Sequence, residues 1–182
     1  MKTTLLASVL CIFLLQSPPS IYDFKIQTLG DEKQVNLADY KGKKIMIVNT
    51  GCKSPYAYQI EQLQKIYRAY SEKLVIIAFP AGDDFGDQEL KTNPAIRDYF
   101  VYTWGVTFPV AEKTTTIGSG RHPVFSYLLE EAKKLGFDEP IIKWNFTKFL
   151  LDEEGKLLTV FPADVTPMST EVTSYLNNSW KF

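Results

Sequence analysis

Two short apolar runs with a helical stretch between them limit what this chain can fold into more than any other feature. Residues 43–49 read Lys-Lys-Ile-Met-Ile-Val-Asn, and residues 73–79 read Lys-Leu-Val-Ile-Ile-Ala-Phe. Continuous apolar runs of this length read as buried strands. Between them Ile60, Leu63, Ile66, Tyr67 and Tyr70 recur at the spacing of one helix face. Strand, amphipathic helix and strand in that order imply a parallel crossover. Pro80 ends the second strand. Residues 89–104 are predicted to carry another helix, and Phe108-Pro109-Val110 to begin a short strand. Pro123 suits the start of a helix over 124–134, whose apolar residues are Phe125, Tyr127, Leu128 and Leu129. Residues 146–151 and 156–161 are predicted strands, joined as a hairpin through Asp152-Glu153-Glu154-Gly155. A short helix over 170–176 closes the chain. The order predicts an α/β fold: a central mixed sheet with helices on both faces.

The N-terminus carries a different signal. Met1-Lys2 precedes an apolar run from Leu5 to Leu15, and Ser17-Pro18-Pro19-Ser20 breaks it. That pattern predicts a signal peptide over residues 1–20, hence an exported chain, periplasmic or secreted. The run is too short for the ~20 helical residues that cross a bilayer, so no stable membrane span is expected after processing. Cys11 lies inside this run, which leaves Cys52 as the one cysteine of the mature domain, residues 21–182. A single thiol excludes an internal disulfide framework. Lys and Arg number 20 against 21 Asp and Glu, with no basic run, so no nucleic-acid partner is expected.

Lys143-Trp144-Asn145-Phe146-Thr147-Lys148-Phe149 is the strongest local signal. It resembles the tryptophan–asparagine segment of glutathione peroxidases, and more of the chain agrees. Ile21-Tyr22-Asp23-Phe24 and Leu37-Ala38-Asp39-Tyr40-Lys41-Gly42 stand before the first core strand. Phe79-Pro80, Phe85-Gly86, Gln88-Glu89, Phe108-Pro109, His122-Pro123 and Pro167-Met168-Ser169 follow in family order. The resemblance implies a thioredoxin-like fold and reduction of hydroperoxides with a thiol reductant.

In that family a cysteine or selenocysteine sits between the first core strand and its helix, where the helix dipole favours a thiolate. A glutamine, a tryptophan and an asparagine surround it. The resemblance assigns the last two places to Trp144 and Asn145. Counted without a gap, the reactive position falls on Ser54, whose hydroxyl has no oxidation ladder. Between Phe-Pro and Phe-Gly the family holds cysteine, asparagine and glutamine. Here Ala81, Gly82, Asp83 and Asp84 stand instead, one residue longer, with Asp84 nearest the glutamine position. Ionised, Asp84 would accept hydrogen bonds and could not donate them.

Cys52, two residues before Ser54, is the alternative redox atom, and Lys53 beside it would favour its thiolate. Neither Ala81 nor residues 100–103 offer a second, resolving cysteine. A cycle on Cys52 would need an external thiol, glutathione or a redoxin partner, and no bound cofactor. An exposed, reactive Cys52 would mark an enzyme. A buried one would favour the other reading, a scaffold that binds a partner. Asp83, Asp84 and Asp87 read as a solvated acidic turn, and the lone His122 predicts no metal site. Asn145-Phe146-Thr147 and Asn177-Asn178-Ser179 match the glycosylation pattern, the first on an expected buried strand.

Overall fold

A computed structural model of the chain describes residues 19–30, 34–82 and 84–177. Residues 1–18, where most of the expected leader falls, and Asp83 lie outside the described residues. A small antiparallel hairpin, β1 (Lys25–Gln27) and β2 (Gln34–Asn36), precedes the main sheet and was not anticipated from the sequence. The main sheet contains β3 (Lys44–Thr50), β4 (Leu74–Pro80), β5 (Lys148–Leu151) and β6 (Leu157–Phe161). Their spatial order is β4-β3-β5-β6, with β3 and β4 parallel and the other two pairs antiparallel. The helices are α1 (Gln59–Ala69), α2 (Asn93–Asp98), α3 (Pro123–Lys134) and α4 (Thr170–Asn177).

The continuous apolar runs follow from a sheet buried on both faces. Ile45, Ile47, Val75, Ile77 and Phe79 join one core, against Val124, Phe125, Leu128, Leu129 and Ala132 of α3. Met46, Val48, Leu74, Ile76 and Ala78 join the other, against Ile60, Leu63 and Ile66 of α1 and Val172 and Leu176 of α4. Each large side chain wholly removed from water contributes roughly 1.5–3 kcal/mol before entropy is set against it. The predicted mixed sheet with helices on both faces is therefore present.

Two boundaries differ from expectation for local reasons. Helix α2 begins at Asn93 rather than at 89. Thr92 caps it through Oγ1, which accepts from the N–H of Ala95, and Pro94 occupies its first turn. It then widens into one π turn over Tyr99–Thr103. Strand β5 begins at Lys148 rather than at 146, because Phe146 has φ = +71° and cannot continue a strand. The β5–β6 turn has the expected residues. Asp152 accepts from the N–H groups of Glu154 and Lys156, and Gly155 takes φ = +79°. A Cβ on Gly155 would come within 2.7 Å of Ile21 and Tyr22, so the turn needs glycine for space as well.

Candidate active site

The carboxyl ends of parallel strands, where loops leave the sheet, are the usual place for a site in an α/β fold. Here β3 ends at Thr50 and the chain runs through Gly51, Cys52, Lys53 and Ser54 before α1. Two other segments hold this loop. The N–H of Lys53 donates to the Gln88 carbonyl at 2.9 Å, and that of Cys52 to Glu89 Oε1 at 3.2 Å. On the other side, a Cβ on Gly51 would overlap Asn145 Nδ2 and come within 2.9 Å of the Gln88 carbonyl oxygen. Only a glycine lets the backbone pass between them. Gly51→Ala is expected to destabilise the fold by about 2 kcal/mol, measured by denaturant unfolding, because the neighbour on one side is backbone.

Asn145 is brought here by an unusual piece of backbone. The left-handed φ of Phe146 costs roughly 1–3 kcal/mol and persists only where its surroundings over-determine it. They do. Phe146 N–H donates to the Asn49 carbonyl at 2.6 Å, and Thr147 N–H to Asn49 Oδ1 at 2.9 Å. Asn49 Nδ2 donates to the Trp144 carbonyl at 3.2 Å, and Thr147 Oγ1 donates to the same carbonyl at 3.0 Å. The Phe146 carbonyl accepts from Lys148 Nζ at 2.7 Å. Lys148 is wholly buried, and its ammonium end also meets the carbonyls of Val165 at 2.6 Å, Pro162 at 3.4 Å and Ala163 at 3.5 Å.

The residues singled out from the sequence take different places. Cys52, Asn145 and the loop carrying Ser54 come together. Trp144 is half-buried with its ring 5.3 Å from that of Phe85. Ser54 is buried, and its Oγ accepts from the N–H of Tyr56 at 3.3 Å, a turn contact ahead of α1. Asp84 faces elsewhere: Oδ2 accepts from both the N–H and Oγ1 of Thr116, each at 2.6 Å. The carboxylate acts here as an acceptor for a neighbouring loop, and both bonds tie it to Thr116 rather than to the Cys52 loop. Lys53 does not favour the thiolate as expected, because its Nζ is paired with Asp87 at 2.9 Å. His122 caps α3, with Nδ1 accepting from the N–H of Val124, and burial lowers its pKa. Asn145, in the first glycosylation match, is buried.

Cys52 itself is 6% exposed and packs into the core beneath α1. The exposed thiol expected of an enzyme is therefore not present, and burial by itself is the placement expected of a binding scaffold. The enzyme reading rests on the family relation and on the groups around the Cys52 loop. Burial pushes its thiol pKa well up, and the charge of Glu89 with a side-chain hydrogen bond to it adds to the shift. The thiol rests protonated. Alkylation of native Cys52 at about pH 8 is therefore expected to be at least roughly a hundredfold slower than in the unfolded chain, read by mass after a timed quench.

Glu89 is the residue that sequence reasoning assigns no role. The signal available was its place in the Gln88-Glu89 pair after Phe85-Gly86. It is fully buried, and Oε1 accepts from the N–H groups of Cys52 and of Leu90, the latter at 2.7 Å, while Oε2 has no hydrogen-bond donor. Thr50 Oγ1, Gln88 Oε1 and Asn145 Oδ1 are likewise buried without a partner. Buried polar groups are otherwise paired, so these four atoms, on the Cys52 loop and the segments that hold it, are available to a bound donor.

Comparison with known proteins places the chain in a family. A family model described as Glutathione peroxidase matches residues 21–129. The chain is 36% identical over 153 residues to the glutathione peroxidase of Lactococcus lactis subsp. cremoris, covering 84% of this chain and 95% of that protein. It is 38% identical over 160 residues to the glutathione peroxidase homolog BsaA of Staphylococcus epidermidis, covering 86% and 99%. It is 36% identical over 162 residues to the glutathione peroxidase-like peroxiredoxin GPX5 of Chlamydomonas reinhardtii, covering 87% and 98%. Among solved structures, the crystal structure of Trgpx in apo form superposes with a TM-score of 0.66 at 30% identity, over 89% of this chain and 98% of that one. The thioredoxin-like superfamily protein SPOA0173 superposes with a TM-score of 0.57 at 16% identity, over 85% and 96%, a likeness of fold. With the family model over residues 21–129, the relatives at 36–38% identity and the shared fold in agreement, this chain belongs to the glutathione peroxidase family.

Proposed function

We propose that the chain reduces hydroperoxides with an external thiol and that Cys52 is its redox atom. The observation that carries this reading is that the one cysteine among the described residues lies on a loop held between Gln88–Glu89 and Asn145, segments that bear the buried acceptors Gln88 Oε1, Glu89 Oε2 and Asn145 Oδ1. A hydroperoxide brings an O–H donor to such acceptors and an O–O bond to the sulfur.

In the first step the sulfur attacks the terminal oxygen of ROOH. The S–O bond forms, the O–O bond breaks, and the thiol proton ends on the alkoxide, giving Cys52–SOH and ROH. One external thiol then displaces water to form a mixed disulfide, and a second releases its disulfide and restores Cys52–SH. Ser54 lacks the sulfur for either step. Glutathione and a redoxin both satisfy the second half, and the apolar run at 5–15 supports export as the setting.

The test supplies the purified chain with hydrogen peroxide or an organic hydroperoxide, and with glutathione or thioredoxin. Consumption of peroxide with matched oxidation of one reductant is expected. No consumption with either reductant would sink the reading and favour a non-enzymatic binding scaffold.

A further inference from the structure

A thiol held protonated in a buried loop is a poor nucleophile until a neighbouring base takes its proton. Lys53 is paired with Asp87 on the outside of the loop. Asp84 is engaged by Thr116, and His122 caps α3. Glu89 alone meets the requirement. It is the one carboxylate fully buried among the described residues, and the Cys52 backbone donates to its Oε1.

We propose that Glu89 is the proton acceptor for Cys52 in the reduction of hydroperoxide, an inference that rests on the peroxidase reading above. The two N–H donors of Cys52 and Leu90 both use Oε1, leaving Oε2 as the open acceptor of this carboxylate. As the sulfur attacks the terminal peroxide oxygen, the S–H proton passes to the Glu89 carboxylate. The S–O bond forms as the O–O bond breaks, and the proton then returns from Glu89 to the departing alkoxide, so ROH leaves and Glu89 ends as it began. Burial raises the pKa of Glu89, opposed by its hydrogen bonds with Cys52 and Leu90 and by the charge of Lys113. A carboxylate made more basic in this way is better matched to a thiol. The same buried charge opposes a standing thiolate, so the proton moves only as the sulfur reacts.

Glu89→Gln keeps the shape and an acceptor for the two backbone donors but cannot take the proton. Reduced native protein, Glu89→Gln and Glu89→Asp would each be mixed with hydrogen peroxide from about pH 6 to about pH 9, with capture of the Cys52 sulfenic acid read by mass. The native rate is expected to be nearly independent of pH. That of Glu89→Gln is expected to be roughly a hundredfold lower at pH 7 and to climb about tenfold per pH unit, as hydroxide from solvent replaces the internal base. Glu89→Asp, with its carboxylate one methylene short, should fall between them.

A Glu89→Gln rate equal to or above the native one at pH 7 would overturn the proposal, since Glu89 would then only suppress the thiolate by its charge. A native rate that itself climbs tenfold per pH unit would do the same, and that profile decides the matter if Glu89→Gln does not fold. Absence of Cys52 oxidation in the native chain at every pH would overturn the peroxidase reading, and this inference with it. That result is distinct from a fast Glu89→Gln.

Discussion

Cys52→Ser is expected to reduce peroxide consumption to the uncatalysed background while leaving the fold intact. The substitution exchanges one small, buried side chain for another of similar shape, and the Cys52 N–H that donates to Glu89 is kept. What is lost is the only thiol among the described residues. Serine has no sulfenic or disulfide state, so both halves of the cycle disappear together. Steady-state turnover beside a circular-dichroism melt separates chemistry from stability. Residual turnover above background in Cys52→Ser would place the redox atom elsewhere. Adding Ser54→Cys to that variant is expected to restore turnover at least about tenfold above background. Ser54 Oγ already accepts the Tyr56 N–H at 3.3 Å, and a backbone donor at that position ahead of a helix favours a thiolate.

Lys148→Met is expected to destabilise the fold by about 1–3 kcal/mol, the range for leaving buried acceptors without their donor. Methionine fills the space of the side-chain stem but leaves the carbonyls of Phe146 and Val165 without their short N–H partners, at 2.7 and 2.6 Å. The Phe146 corner loses one of the bonds that hold its left-handed backbone, so the loss should extend to the position of Asn145. A pH signature distinguishes this role from plain packing. Burial lowers the Lys148 pKa to about 7, with the charge of Asp164 opposing, against about 10.4 in the unfolded chain. Between these values the unfolded chain binds the extra proton, so stability rises with pH. Native stability should gain about 1–2 kcal/mol between pH 7 and pH 8.5 from this group. Above about pH 8.5 the raised Cys52 pKa works in the opposite direction, because the unfolded chain then loses a proton that the folded chain keeps. Lys148→Met should show no rise in the lower window, measured by urea unfolding.

Much of this was legible in the chain. The alternation inside 43–49 and 73–79 places successive side chains on opposite faces, so a run apolar at both sets of positions can only satisfy itself between two layers. The helical spacing from Ile60 to Ile66 and the Asp152–Gly155 turn are likewise local consequences of side-chain period and turn chemistry. Trp144 and Asn145 stood out because residues 143–149 resemble the tryptophan–asparagine segment of glutathione peroxidases, with Phe-Pro and Phe-Gly in family order before it. The glutamine-loop position misled. Its residue count pointed to Asp84, whereas the Asp84 carboxylate accepts from Thr116.

Cys52 and Ser54 were identifiable in the chain as candidates, Trp144 and Asn145 through the family resemblance, and the sheet with helices on both faces followed from periodicity and the order of the elements. Tertiary structure decided what those residues are worth. That Cys52 is buried against Glu89, that Lys53 is neutralised by Asp87, and that Phe146 turns left-handed are outcomes of segments 34 to 98 positions apart meeting in space. No local preference encodes such meetings. Desolvation and hydrogen bonding act on neighbours in space, and these set whether a thiol rests charged or protonated.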